Sequence, residues 1–158
     1  MTAQEIYDNL KAKFGDAVGE ARLDALQPWI AISETRTREI CQFLRDEPAF
    51  AFDYLSCLSG VDYADGKLGV VYHLFSMIHR HKIVLRTMCT REHPHIQSVS
   101  AVWGTANWHE REAYDMFGIV FDEHPDLRRI LCGDDYPGYP LRKDFKVPEF
   151  YNGMKVPY

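Results

Sequence analysis

The sequence predicts an α+β fold: a single domain with a mixed or antiparallel β-sheet, helices packed on one side, and then an extended irregular C-terminal arm. Three observations carry this expectation. Leu68 to Ser76 and Lys82 to Met88 are two runs rich in Val, Ile, Leu and Tyr, joined by the polar corner Ile78-His79-Arg80-His81, which is the pattern of an antiparallel hairpin. Stretches of helical spacing with start and stop signals lie on both sides of that hairpin. From Phe121 onward the chain becomes dense in Pro, Gly, Asp and Arg and loses its periodicity. Residues 1–120 are thus expected to form the α+β domain, and 121–158 an arm of that same domain.

In order along the chain, Thr2-x-x-Glu5 is a capping-box pattern, followed by Ile6, Leu10 and Phe14 at helical spacing and by Gly15 as a stop, so a first helix is expected there. Ala17 to Leu23 and Trp29 to Ser33 are short strand candidates around a break at Pro28. Thr35 or Thr37 can open a second helix with Ile40, Phe43 and Leu44 inward and Pro48 marking its end. Phe50 to Tyr63 is ambiguous. Phe52, Leu55 and Leu58 fit helical spacing, whereas Phe50, Phe52 and Tyr54 alternate, and the strand reading is preferred. In the hairpin, Leu68, Val70, Tyr72 and Leu74 share one face. The last stretch, Lys146 to Tyr158, holds Pro148, Gly153 and Pro157 among aromatics, so it can form neither a regular helix nor a central strand. Its aromatics suggest an arm that docks on another protein or wraps back over its own domain.

Composition bounds the function. A chain of 158 residues, 46% hydrophobic and 26% charged, suits one ordinary globular domain and is short for two. No apolar run approaches the roughly 20 residues of a membrane-spanning helix. Met1 to Gly15 resembles neither a secretory signal nor a transit peptide. The net charge of −5 argues against nonspecific nucleic-acid binding, so membrane attachment is expected only through a protein partner. Cys41, Cys57, Cys89 and Cys132 show no cluster-binding spacing, which points to free thiols in a reducing compartment and to no iron–sulfur or zinc centre in this chain.

Ala106 to Phe117 should form a third helix, with Asn107-x-x-Glu110 as a capping box and Gly118 as the stop. Ala106, Glu110, Ala113 and Phe117 then fall on one inward stripe. A carboxylate at Glu110 needs a cation or several hydrogen-bond donors there. Arg111 and Asp115, four residues apart, can pair along another face. His109-Glu110 starts like a zincin motif, but Ala113 stands where the second histidine is needed. His79-x-His81 and His93-x-His95 could each present two imidazoles without a third ligand at a recognisable spacing, and polar loop histidines are the competing account. Glu110 and Glu112 lie on different helix faces and do not converge as an acid–base pair.

The residue order adds more. Glu110-Arg111-Glu112, Asp115-Met116-Phe117, His124, Arg128, Ile130 and Leu131, together with Trp108, Gly118-Ile119, His124-Pro125 and Pro140-Leu141-Arg142-Lys143-Asp144-Phe145, resemble the signature of the 30-kDa subunit family of respiratory complex I, whose members are the C subunits of NADH-quinone oxidoreductase. The likeness is strongest from Trp103 to Phe145 and continues loosely through Gly60-Val61-Asp62-Tyr63 and Val70 to Leu74. It implies a non-catalytic structural subunit in the peripheral arm of a proton-pumping NADH:quinone oxidoreductase. Flavin, iron–sulfur clusters, NADH and quinone are then held by other subunits, and this chain has no catalytic, cofactor-binding or metal-binding residues. The implied partners are subunits D, B and I of that complex. The first of these, the 49-kDa type that forms the quinone site, is expected as a separate polypeptide because this chain has no fused extension.

The implied location is peripheral, on the cytoplasmic side of a bacterial inner membrane, with a thylakoid or mitochondrial inner membrane as alternatives. Glu110, Arg111 and Asp115 would hold the helix to its own sheet or to the partner. Arg128, Arg129, Arg142, Lys143, Asp144, Phe145, Phe150, Tyr151 and Tyr158 are the interface candidates, with a solvated loop as the competing account for the basic ones. An equivalent subunit of a ferredoxin-linked complex or of a membrane-bound nickel–iron hydrogenase is a second reading. A small enzyme with a histidine-bound metal is a third.

Overall fold

The computed structural model describes residues 1–156. In it the N-terminal capping box is formed: the Thr2 N–H donates to Glu5 Oε2 at 2.7 Å, and the Glu5 N–H donates to Thr2 Oγ1 at 3.2 Å. These bonds start helix α1, Ala3–Phe14, which buries Ile6, Leu10 and Phe14 and stops at Gly15 with φ of 54°. A single 3₁₀ turn leads into β1, Val18–Arg22, and β2 is Trp29–Ile32. Helix α2 spans Thr37–Asp46. No side chain caps it from outside. Instead the Thr37 hydroxyl, at the first helical position, donates back to the Ser33 carbonyl at 2.9 Å.

Strand β3 is Tyr54–Asp62, β4 is Lys67–Phe75 and β5 is Lys82–Thr90. The strand preferred over Phe50 to Tyr63 therefore begins only at Tyr54. Phe50 and Phe52 are buried by a loop, in which Ala51 takes φ of 43° and the Phe52 N–H donates to the Leu44 carbonyl at the end of α2. Their alternation comes from that loop turning both rings into the core. The short strand β6, His95–Gln97, runs parallel to β7, Val120–Asp122, and α3, Ala106–Phe117, lies between them in sequence.

The main sheet has the order β1-β2-β5-β4-β3, parallel between β2 and β5 and antiparallel elsewhere. Leu68, Val70, Tyr72 and Leu74 do share a buried face. With Ile30, Ile32, Ile83 and Leu85 they join Ile6 and Leu10 of α1, Ile40 and Leu44 of α2, and Ala106 and Ala113 of α3 in one core. Each fully buried aliphatic side chain in such a core contributes about 1.5–3 kcal/mol. On the opposite face, Trp29, Ala31, Val71, His73 and Arg86 stay half-buried and outside that core.

The C-terminal segment is irregular as expected, with one departure. Phe150–Tyr151 (β8) pairs antiparallel with Met154–Lys155 (β9) around Asn152 and Gly153, whose φ values are 49° and 75°. An Asn-Gly pair with positive φ at both positions is a two-residue hairpin turn, so the arm is folded back on itself here rather than extended. Tyr158 lies outside the described residues.

Candidate functional site

Helix α3 carries the motif. It stops where expected, at Gly118 in the left-handed region (φ 70°), with the Gly118 N–H bonded to the Tyr114 carbonyl. Its start differs. The helix begins at Ala106, no side chain caps it, and the box between Asn107 and Glu110 is absent. Asn107 lies inside the first turn, and Glu110 is committed elsewhere.

Glu110 is fully buried. The Val99 N–H donates to Oε1 and the Ser98 hydroxyl donates to Oε2, each at 2.6 Å. Burial pushes its carboxyl up to about 7, and these two donors and the more distant Arg38 only partly offset it. The enclosed His124 ring approaches with Nε2 3.8 Å from Oε2. Nδ1 of that ring accepts the Asp126 N–H, so its proton sits on Nε2 and points at the Asn107 carbonyl at 3.2 Å. Burial, and then the Arg111 charge, hold His124 below the usual imidazole range. The pair is therefore a packed polar cluster without full ionic character at neutral pH.

Asp115 behaves in the opposite way. It is also fully buried, yet the backbone N–H groups of Ile130, Leu131 and Cys132 all donate to Oδ2, at 2.9, 2.6 and 3.0 Å. Arg129 adds Nη1 at 3.5 Å from Oδ1. Burial alone would raise the Asp115 carboxyl, but the three N–H donors and Arg129 outweigh it and hold the group below the usual carboxylate range. The ion pair expected between Arg111 and Asp115 is not made. Arg111 instead lies over the Trp108 ring, 4.7 Å from its centroid, and its Nε donates to the Arg128 carbonyl at 3.4 Å. Glu110, Arg111 and Asp115 thus all face the chain's own elements. Glu112 is exposed, Met116 is buried, and Phe117 lies against Gly60 so closely that a Cβ there would fall 2.5 Å from the ring.

A second carboxylate holds the rest of the loop, and nothing in the sequence pattern gives it that role. Asp62, at the end of β3, accepts Arg91 Nη2 on both oxygens at 2.9 Å, the Ala64 N–H at 2.8 Å and the Lys143 N–H at 2.9 Å. Burial raises the Asp62 carboxyl, and these donors together bring it below its ordinary value. Arg91 also reaches Asp144 at 3.2 Å. Arg142 donates to the Phe117 carbonyl and, with Arg129, lies over the Tyr139 ring. Arg128 is exposed beside Asp126, and the Lys143 side chain is exposed. Phe145 stacks on Tyr136, and Tyr151 packs edge-on against Tyr136 while donating to Asp135 at 2.9 Å. The interface candidates therefore divide: Arg129, Arg142, Asp144, Phe145 and Tyr151 hold the loop together, while Arg128, Lys143 and Phe150 point outward.

Leu131, Leu141, Val147, Phe150 and Met154 are also exposed, each by more than half. A segment fixed at its backbone thus presents apolar side chains among charged ones of both signs. Three of the four paired histidines have ring partners: His79 and His81 each place Nε2 2.8 Å from a backbone carbonyl, of Pro48 and Phe50, and His95 bonds Asp122. Among the described residues no three His, Cys, Asp or Glu side chains gather as a metal site. No helix among them is long and apolar enough to cross a membrane. The four cysteines are free thiols, with Cys41 and Cys89 buried.

Comparison with known proteins gives this geometry a family. The profile described as "Respiratory-chain NADH dehydrogenase, 30 Kd subunit" matches residues 30–151. The C subunit of NADH-quinone oxidoreductase from Chloroherpeton thalassium is 53% identical over 154 residues, covering 96% of this chain and 64% of that protein. Its namesake from Chlorobium phaeobacteroides is 50% identical over 155 residues, covering 96% of this chain and 93% of the relative. Among solved structures, the trypsin-resistant fragment (1-134) of Nqo5 superposes with a TM-score of 0.64 at 29% identity, over 80% of this chain and all of the fragment. A chain of an archaeal membrane-bound sulfane sulfur reductase shares the fold, with a TM-score of 0.72 at 20% identity over 90% of this chain and 85% of its own. With its α+β fold, its motif on α3 and these relatives in agreement, the chain belongs to the 30-kDa subunit family of the respiratory-chain NADH dehydrogenase, the family of the NADH-quinone oxidoreductase C subunits.

Proposed function

We propose that this chain is a non-catalytic structural subunit of the peripheral arm of a proton-pumping NADH:quinone oxidoreductase, and that it packs on the quinone-site subunit of the 49-kDa type, near the smaller subunits B and I. It reaches the cytoplasmic side of a bacterial inner membrane through those partners. Flavin, iron–sulfur clusters, NADH and quinone belong to the other subunits, and residues 121–158 form the docking arm. The observation that carries this reading is the use of Asp115: a buried carboxylate in the motif spends its capacity on three backbone N–H groups of the loop. Such a carboxylate is a structural anchor rather than an acid or base. What it fixes is a segment that exposes Leu131, Leu141 and Phe150 together with Arg128, Lys143 and several carboxylates, a mixture of apolar and charged groups suited to a protein interface.

Affinity isolation of the tagged chain from gently solubilised native membranes tests the assignment. Recovery of the 49-kDa-type subunit together with subunits B and I, in constant ratio and with NADH:quinone activity, is the expected result. Recovery of the chain alone at low detergent and moderate salt would sink it.

A further inference from the structure

The outer face of the main sheet holds one half-buried charge without a partner, Arg86, while Lys67 and Lys82 stand exposed at opposite ends of the β4–β5 pair. Arg86 stands near the middle of β5, where the register sets it beside Ala31 of β2 and Val71 of β4. Its guanidinium lies over the Trp29 ring, with Cζ 4.2 Å from the centroid. Nε is enclosed and has no acceptor. Among the described residues no carboxylate forms an ion pair with Arg86. Asp16, Glu20 and Glu34 line the shallow grooves to either side of it without bonding it. Burial, and then Arg86 itself, hold the neighbouring His73 below the usual imidazole range, so at neutral pH Arg86 is the charge at the centre of this face.

Between those acids, the strand surface next to it carries small and apolar side chains. Gly19 lies next to Ala31, and Gly69 lies under the Tyr63 ring, where a Cβ would fall 2.9 Å from Cε2. Trp29, Tyr63 and Met88 line one groove beside Arg86. The guanidinium is held on an aromatic ring with no acceptor for its charge, and its terminal nitrogens, unlike the enclosed Nε, are open to a carboxylate from outside the chain.

We infer that this sheet face is a docking surface for a partner protein segment that carries an Asp or Glu side chain between apolar ones. The carboxylate completes Arg86, and its apolar neighbours cover Trp29, Val71 and Met88. A second copy of this chain fits poorly, because a two-fold contact centred here would set Arg86 against Arg86. A lipid surface is recognised by clusters of cations, whereas Lys67 and Lys82 stand at opposite ends of this face and Asp16, Glu20 and Glu34 flank Arg86. The inference rests on the proposed role within a larger assembly and adds to it a second contact surface with stated partner chemistry.

A photo-crosslinking residue in place of Met88, which is 46% exposed on the same face, tests it in the intact membrane-bound complex. The expected product is a crosslink to one partner peptide that contains an acidic residue flanked by apolar ones. Arg86→Glu should then lower retention of that partner roughly tenfold after a moderate-salt wash, the loss expected of a desolvated charge pair. Reversing the crosslinked acid to Arg should restore it, which separates a lost contact from a misfolded chain. Crosslinks only to a second copy, to lipid or to an acid-free peptide, or undiminished retention with Arg86→Glu, would overturn the inference while the assembly role stands. Failure of the wild-type chain to purify with any other member of the complex would remove both.

Discussion

Asp115 of α3 and the backbone N–H of Leu131 meet at 2.6 Å, and the same oxygen also takes the N–H groups of Ile130 and Cys132. One side chain thus fixes three consecutive peptide groups of a segment that has no ladder of its own. Asp62 fixes the same segment further along through the Lys143 N–H. Together they turn an irregular stretch into a defined surface.

Asp115→Ala leaves three N–H groups facing a cavity without an acceptor, which should destabilise the domain by about 3–5 kcal/mol. Urea titration of the variant measures this. Limited proteolysis should show new cleavage between residues 128 and 145, while the sheet remains protected. Unchanged cleavage in this stretch would mean that the loop is held by other contacts.

Gly60→Ala should also be costly, because the new Cβ would fall 2.5 Å from the Phe117 ring. Phe117 sits at the end of α3, so the helix must move off β3. Overpacking of this kind costs about 1–3 kcal/mol. Thermal denaturation reads the loss, and Gly60→Ala combined with Phe117→Leu should recover part of it.

The carboxylates give opposite pH dependences. Asp62 and Asp115 are depressed in the folded chain, so their stabilisation is present above the ordinary carboxylate pKa and is lost as pH falls through their lower folded values. The loop should therefore loosen in acid before the sheet melts. Glu110 is raised to about 7 by burial. Its contribution is complete below the unfolded carboxylate value near 4.5 and is lost as pH rises through about 7, a difference of about 3 kcal/mol between the two ends. His124, Arg38, Cys41 and Tyr72 share its field. Glu110→Gln should flatten the melting temperature between about pH 4.5 and 7, the interval between its unfolded and folded values. A wild-type slope in that variant would assign the dependence to another group.

Replacing Arg128 and Arg142 together with Ala should release the chain from the 49-kDa-type partner at moderate salt. Arg128→Ala is the cleaner variant, since Arg128 is exposed whereas Arg142 also bonds the Phe117 carbonyl and lies over Tyr139. Quantitative recovery of that partner across a salt series checks this. An intact complex with both replaced would remove the basic loop from the interface.

Much of the architecture follows from local pattern. The alternation in Leu68 to Leu74 fixes which face of β4 is buried, because side chains in a strand alternate strictly. Gly118 fixes the end of α3, because a left-handed residue ends a helix there. The inward stripe of α3 places Glu110 in the core, and the residue order of the motif points to the family. The partners of those residues are not legible in the same way. Glu110 meets Ser98 and Val99 before the helix, Asp115 meets residues 130–132 after it, and Asp62 meets Lys143 across 81 positions of sequence. Periodicity shows that a side chain turns inward, while the donor it meets depends on where distant loops close, and that is settled only when the whole core packs. For the same reason Arg111 and Asp115, an obvious pair at helical spacing, are apart: each finds better-placed backbone groups in a loop that the helix pattern could not reveal.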